Sequence, residues 1–241
     1  MSSRPYDLWL ARALTLGPVA LAFPAATLAV FAFGADRGST ADTLALVYSF
    51  GLFLGFSTSL WPLPRLRGWT FRARLQSLCL LFLVVSALTH LSWELIWLLF
   101  HELIARSQDA AWAYPWWAYI DGGDLRYAAP SSTLLMIESL SVLNGCIAAT
   151  GLVFWHRSGG RDRRAPLLFL ITATVHLYST ALYFGGELLD GLPNVDTTSW
   201  LDTWIKFGLA NASWIVFPWF VLYWCQDMLR HPPADECKRS R

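Results

Sequence analysis

Residues 75–100 read LQSLCLLFLVVSALTHLSWELIWLLF, an apolar run interrupted by the ionisable side chains of His90 and Glu94. A helix that crosses a bilayer needs about 20 mostly apolar residues, so this run is long enough to span. A carboxyl at mid-membrane costs about 2.5–3.5 kcal/mol even on lenient insertion scales, which forbids Glu94 from facing lipid. Positions i and i+4 share one helix face, so His90 and Glu94 lie on a single stripe that Trp97 and His101 continue. The stripe therefore has to face a protein interior. This predicts a bundle of membrane helices around a polar point.

The rest of the chain supplies the other helices. Residues 13–34 and 43–64 carry no charge, and residues 133–155, 165–186 and 203–224 carry few. With 75–100 they make six spans, too long and too uniformly apolar for the alternating strands of a membrane barrel. The 241 residues are 55% hydrophobic and 15% charged, with a mean hydropathy of +0.41. An ordinary soluble domain is about 25% charged, so soluble, disordered and nucleic-acid-binding classes are excluded.

Charge sorts the connecting segments into two faces. Arg4, Arg12, Arg65, Arg67, Arg72, Arg74, Arg157, Arg161, Arg163, Arg164, Arg230, Lys238, Arg239 and Arg241 all fall on one side. Asp36, Asp42, Glu102, Asp109, Asp121, Asp124, Asp190, Asp196 and Asp202 fall on the other. Lys and Arg favour the cytoplasmic face, which predicts six crossings with both termini cytoplasmic. The first apolar segment is span-length without a clear cleavage site and is expected to be a retained anchor. Cys79, Cys146 and Cys225 fall in spans and Cys237 in the tail, so no disulfide framework is expected. Gly51 and Gly55 form a GxxxG that marks tight helix packing. The aromatic-rich stretch 105–132 suits the membrane interface or a cap over a cavity.

Further polar residues punctuate the spans: Glu138 and Ser141; His176, Thr180 and Tyr183, followed by Glu187; Asn211 and Trp214. Interhelical hydrogen bonds average only about 0.6 kcal/mol, and a Ser or Asn such as Ser139 or Asn144 suffices for one. Two carboxyls and an imidazole point instead to function. There is no HExxH, no dense histidine box, no CxxC pair and no glycine-rich phosphate loop, so neither a metal nor a nucleotide cofactor is expected. What remains is acid–base work in an aromatic-lined apolar pocket. A buried carboxylic acid can donate a proton, and a Trp face such as Trp214 stabilises a cation. Together these suggest carbocation chemistry on a lipid-soluble alkene.

The run His90-Leu-Ser-Trp-Glu94 resembles the HxxxE helix of the emopamil-binding protein family, the sterol Δ8–Δ7 isomerases that carry an EXPERA domain. Gly123-Asp124-Leu125-Arg126-Tyr127 resembles its GDxRY loop, and residues 136–141, MIESLS, its METIT segment. Leu182-Tyr183-Phe184 with Glu187 and Asp190-Gly191 is similar to its LYFxxE…DG stretch, and Asn211-Ala212-Ser213-Trp214 to its NALW, with Pro218 following. The likeness covers residues 72–229. It implies a five-helix EXPERA-like bundle with a ligand cavity open within the membrane, to which the first span is an addition. The division is then 1–64, holding the first two spans, a core over 65–229 that the second span completes, and a tail over 230–241.

The resemblance further implies a membrane isomerase that shifts a ring double bond of a sterol from Δ8 to Δ7 by protonation and deprotonation. By position, His90 and Glu94 transfer the proton, Glu138 with Ser141 steadies the cation, and Asn211 and Trp214 line the pocket. Tyr119, Tyr183 and His176 are further pocket members. Expected partners are a sterol or other isoprenoid lipid, inhibitory cationic amphiphilic amines, the bilayer and a second copy in a homodimer. The membrane would be endoplasmic reticulum in a eukaryote or inner membrane in a bacterium. Departures touch the substrate: Ser131 and Thr180 stand where the family carries acidic residues, and Leu95-Ile96 replaces its GW. Two rivals stand beside this reading. One is a membrane terpene cyclase that protonates an isoprenoid; the other is a sterol- or amine-binding protein without turnover.

Overall fold

Six helices long and apolar enough to cross a membrane make up most of the computed structural model, which describes residues 6–230. Arg4, His231, Cys237, Lys238, Arg239 and Arg241 lie outside the described residues. Helix α1 is Tyr6–Phe33 and α2 is Arg37–Ser57. α3 covers Phe71–Arg106 with a kink at Phe100, and α4 is the short Tyr114–Gly123. α5 covers Ser132–Ser158, α6 Arg164–Leu189 and α7 Leu201–Arg230. No strand occurs among the described residues.

The helices outrun the apolar stretches at several ends. α1 starts at Tyr6, before the uncharged run at Ala13, and α3 continues past Phe100 to Arg106. Charged residues end an apolar run without ending a helix, although α3 kinks at Phe100 where its extension begins. Where the helices do begin, side chains cap them. Asp36 Oδ1 accepts from the Ser39 amide at 2.8 Å, and Thr70 Oγ1 from Ala73 at 3.2 Å. Ser131 Oγ accepts from the Leu134 amide at 3.2 Å. Such caps satisfy amides that have no partner within the helix. Ser131, one of the departures from the family pattern, is thus the N-cap of the helix that carries Glu138.

α1 packs mainly on α2. At Gly51 a Cβ would collide with Val19 of α1, so the absent side chain permits the close approach. Arg12 clasps α1 to α3, donating from Nη2 to Ser77 O at 3.0 Å and Ser77 Oγ at 2.8 Å. α5, α6 and α7 pack against one another in sequence, with α3 against α5 and α7.

Two aromatic-rich clusters fill the bundle. One, toward the arginine-rich end, joins Phe56, Phe82, Phe169, Phe217 and Trp224. The other, toward the acidic end, joins Trp97, Trp117, Ile120, Tyr183 and Phe207. Both α3 and α7 widen into π-helical turns, at His90–Glu94 and at Leu201–Leu209, the latter carrying Phe207 of the acidic-end cluster. Such turns are rare and concentrate at functional sites.

Candidate functional site

Between the two clusters lies a cavity of about 320 Å³, near the lower end of the usual range for small-molecule sites. Its wall comes from α1 (Val19, Phe23), α2 (Leu44, Tyr48), α3 (Trp93, Glu94), α4 (Tyr119) and α7 (Asn211, Trp214), with Tyr127 from the loop after α4. Glu94 is the one carboxyl among the described wall residues, and Lys206 the one cation.

Glu94 is held from within its own helix. His90 Nδ1 and Glu94 Oε2 share a short hydrogen bond across the π-helical turn. His90 is 3% exposed, and its other nitrogen, Nε2, is buried without a partner. The imidazole sits in a stack of three rings. His176 lies 4.9 Å from His90 and 5.4 Å from Trp214, the latter at an interplanar angle of 13°. Ser86 Oγ meets His176 Nε2 at 2.7 Å, which fixes the imidazole of α6 in place. Gly145 of α5 makes room for this packing, because a Cβ there would stand 2.7 Å from His90 Cβ.

Glu138 does not line the cavity directly. It is 4% exposed and reaches the wall through Tyr127, whose hydroxyl donates to Oε1 at 2.5 Å. Its Oε2 is buried without a partner, so the carboxyl keeps one oxygen uncommitted. Glu138 also lies within electrostatic range of Glu94.

A second polar chain leaves the wall at Asn211. Its Nδ2 donates to Tyr119 Oη at 3.1 Å; Tyr119 and Tyr183 hydroxyls meet at 2.5 Å, and Tyr183 donates to Asp124 Oδ2 at 2.5 Å. Asp124 is fully buried and forked by Arg126, whose Nη2 reaches Oδ2 at 2.6 Å. Arg126 Nε also lies 3.2 Å from Glu187. Burial holds the Tyr119 and Tyr127 phenols above their ordinary pKa, so both remain hydroxyl donors.

The structure therefore brings Glu94, Tyr119, Asn211 and Trp214 to the cavity wall, with His90 bonded to Glu94. His176 backs Trp214, Tyr183 backs Tyr119, and Glu138 stands behind Tyr127. Ser141 is buried on α5 and is not among the wall residues. Among the described residues, no group of three or more His, Cys, Asp or Glu side chains is placed to hold a metal ion. Sequence reasoning left out Tyr48, Tyr127 and Lys206. Tyr127 was visible in the Gly123–Tyr127 motif, and Lys206 as a lone cation in an apolar span. Tyr48 carried no signal.

No family model matches the chain. It is 26% identical over 160 residues to 3-beta-hydroxysteroid-Delta(8),Delta(7)-isomerase of Rattus norvegicus, a match covering 65% of each chain. It is 29% identical over 142 residues to a protoglabretal synthase of Ailanthus altissima, covering 58% of this chain and 62% of that one. The chain thus matches somewhat less than two thirds of the length of these relatives. The two together support a family like the emopamil-binding proteins.

Proposed function

We propose that this chain is a membrane isomerase that moves a ring double bond of a sterol, from Δ8 to Δ7, through a carbocation. One observation carries the reading: an apolar, aromatic cavity presents a single carboxyl, Glu94, already hydrogen-bonded to a buried imidazole. The likeness to a sterol isomerase in its printed name supports it.

The chemistry follows from this arrangement. The π electrons of the alkene take the proton of the Glu94 carboxyl, leaving a carbocation in the ring and a carboxylate at Glu94. His90, through Nδ1, can give a hydrogen bond to the carboxylate or accept one from the acid, so it serves both states of Glu94. The faces of Trp214 and Tyr48 offer the cation its electrostatic partner, and the Glu138 carboxyl stands behind them, bonded to Tyr127. An adjacent C–H bond then gives its electrons to the new double bond, and its proton returns to the Glu94–His90 pair. Protons balance, and no redox cofactor is consumed.

The test is turnover of a Δ8-sterol by purified protein in detergent or proteoliposomes, with the product's double bond located by NMR. Glu94→Gln and Glu138→Gln are each expected to lower kcat by about 10²-fold or more, the usual worth of a positioned acid or base, while far-UV dichroism stays helical. Near-normal turnover in both variants would remove the proton-transfer assignment. The match to a protein named a synthase keeps a second reading, a membrane cyclase. An epoxy-isoprenoid converted to a product with more rings would favour it.

A further inference from the structure

We infer that Lys206, with Asp42 beside it, forms the subsite that holds the hydroxyl of the substrate, and that it rejects anionic head groups. This rests on the function proposed above and names the polar end of the molecule that the cavity takes.

Lys206 stands in the middle of the π-helical opening of α7, 5% exposed, and is the cation of the cavity wall. Its Nζ lies 2.9 Å from Asp42 Oδ1 of α2 and 2.5 Å from Asp202 Oδ1, and donates to Asp121 O at 3.3 Å. Three elements therefore converge on one ammonium. The turn that ends α4 is built for this convergence: Gly122 has φ 80°, and a Cβ there would stand 2.5 Å from the Asp202 carboxyl. The bond to the Asp121 carbonyl is the longest of the three, and it is the one that a ligand oxygen can replace.

The charge balance selects the ligand. One ammonium between two carboxylates leaves the cluster net negative, so a carboxylate, sulfate or diphosphate entering it meets repulsion. A neutral hydroxyl meets none. It can accept from Lys206 and donate to Asp42, whose side chain is 37% exposed and has lone pairs to spare. Position agrees with this choice. Lys206 precedes Asn211 by five residues, about 7 Å along a helix. That sets the polar end of a ligand about one helical turn from Asn211, in the same cavity that Glu94 lines. The far end of the cavity, at Val19, Val85 and Trp214, is apolar and suits the rest of a sterol-sized skeleton.

The experiment uses binding, so that it does not depend on turnover. The full-length protein is titrated with three forms of one saturated sterol: the alcohol, its methyl ether and its sulfate ester. Quenching of tryptophan fluorescence reports occupancy. The wild type is expected to bind the alcohol at least about tenfold more tightly than either derivative, the size expected of a hydrogen bond to a charged group. Lys206→Met is expected to bring the alcohol-to-ether ratio close to one, and Lys206→Arg to keep part of it. Asp42→Asn is expected to strengthen sulfate binding. Equal binding of alcohol and ether by the wild type, sulfate binding as tight as the alcohol, or an alcohol preference intact in folded Lys206→Met overturns the subsite. Should Lys206→Met not fold, the wild-type comparison and Asp42→Asn decide the matter. An alcohol preference without isomerase turnover would leave the subsite standing and sink the reaction; turnover without the preference would do the reverse. No binding of any of the three sinks both.

Discussion

At the scale of single residues, the site depends on hydrogen bonds made behind the wall. Tyr127 separates Glu138 from the cavity and supplies the one hydrogen bond that its carboxyl receives among the described residues. Tyr127→Phe leaves that carboxyl buried and unpartnered, and an unsatisfied buried polar group costs about 1–3 kcal/mol. We therefore expect kcat to fall about 10–100-fold with little change in KM, measured by steady-state turnover. An unchanged kcat would show that Glu138 takes no part. The residues that the sequence made legible were those whose cost in lipid is high and whose excuse is hard to find: His90, Glu94 and Glu138. Tyr48 escaped because a tyrosine in an apolar helix is unremarkable until another helix brings a carboxyl opposite it. Lys206 escaped because a lysine near the end of a span ordinarily reaches for water, whereas here Asp42, Asp202 and the Asp121 carbonyl enclose it.

At the scale of the helices, the six spans were legible because about 20 apolar residues in a row have few other uses. The two π-helical turns were not. A π turn is a one-residue surplus that packing resolves, and the same letters would fit an α-helix as well. The first of them carries the His90–Glu94 pair, and its seat is α5 at Gly145. Gly145→Ala puts a methyl group against His90 Cβ, so the ring must move; overpacking of this kind costs about 1–3 kcal/mol. Turnover and thermal midpoint should both drop. Gly185→Ala on α6 meets nothing within 4 Å and serves as the control that should leave both unchanged. Equal behaviour of the two variants would remove Gly145 as the support of the site.

At the scale of the whole molecule, α1 lends side chains to the cavity wall. Val19, Ala20 and Phe23 wall the cavity, and the Phe23 ring lies 4.7 Å from that of Trp93 on α3. The chamber pairs aromatic faces with one wall carboxyl, Glu94, and a second, Glu138, behind Tyr127, a combination that suits a positive charge. Lipophilic amines are therefore expected to compete with the sterol, since an ammonium resembles the carbocation. Inhibition kinetics on wild-type protein and binding to the Glu94→Gln, Glu138→Gln double variant test this. Amine affinity that survives loss of both carboxyls would sever the link between charge and binding.

The placement of His90 and Glu94 on one turn of one helix has a mechanical consequence. Under the proposed function a rigid, ring-fused lipid has to pass between helices, which would shift against one another to admit it. Contacts between elements, such as the Tyr127–Glu138 bridge or the Asn211–Tyr119 bond, are the ones such a shift would strain. The acid and its imidazole travel together, and the pair meets every new guest already assembled.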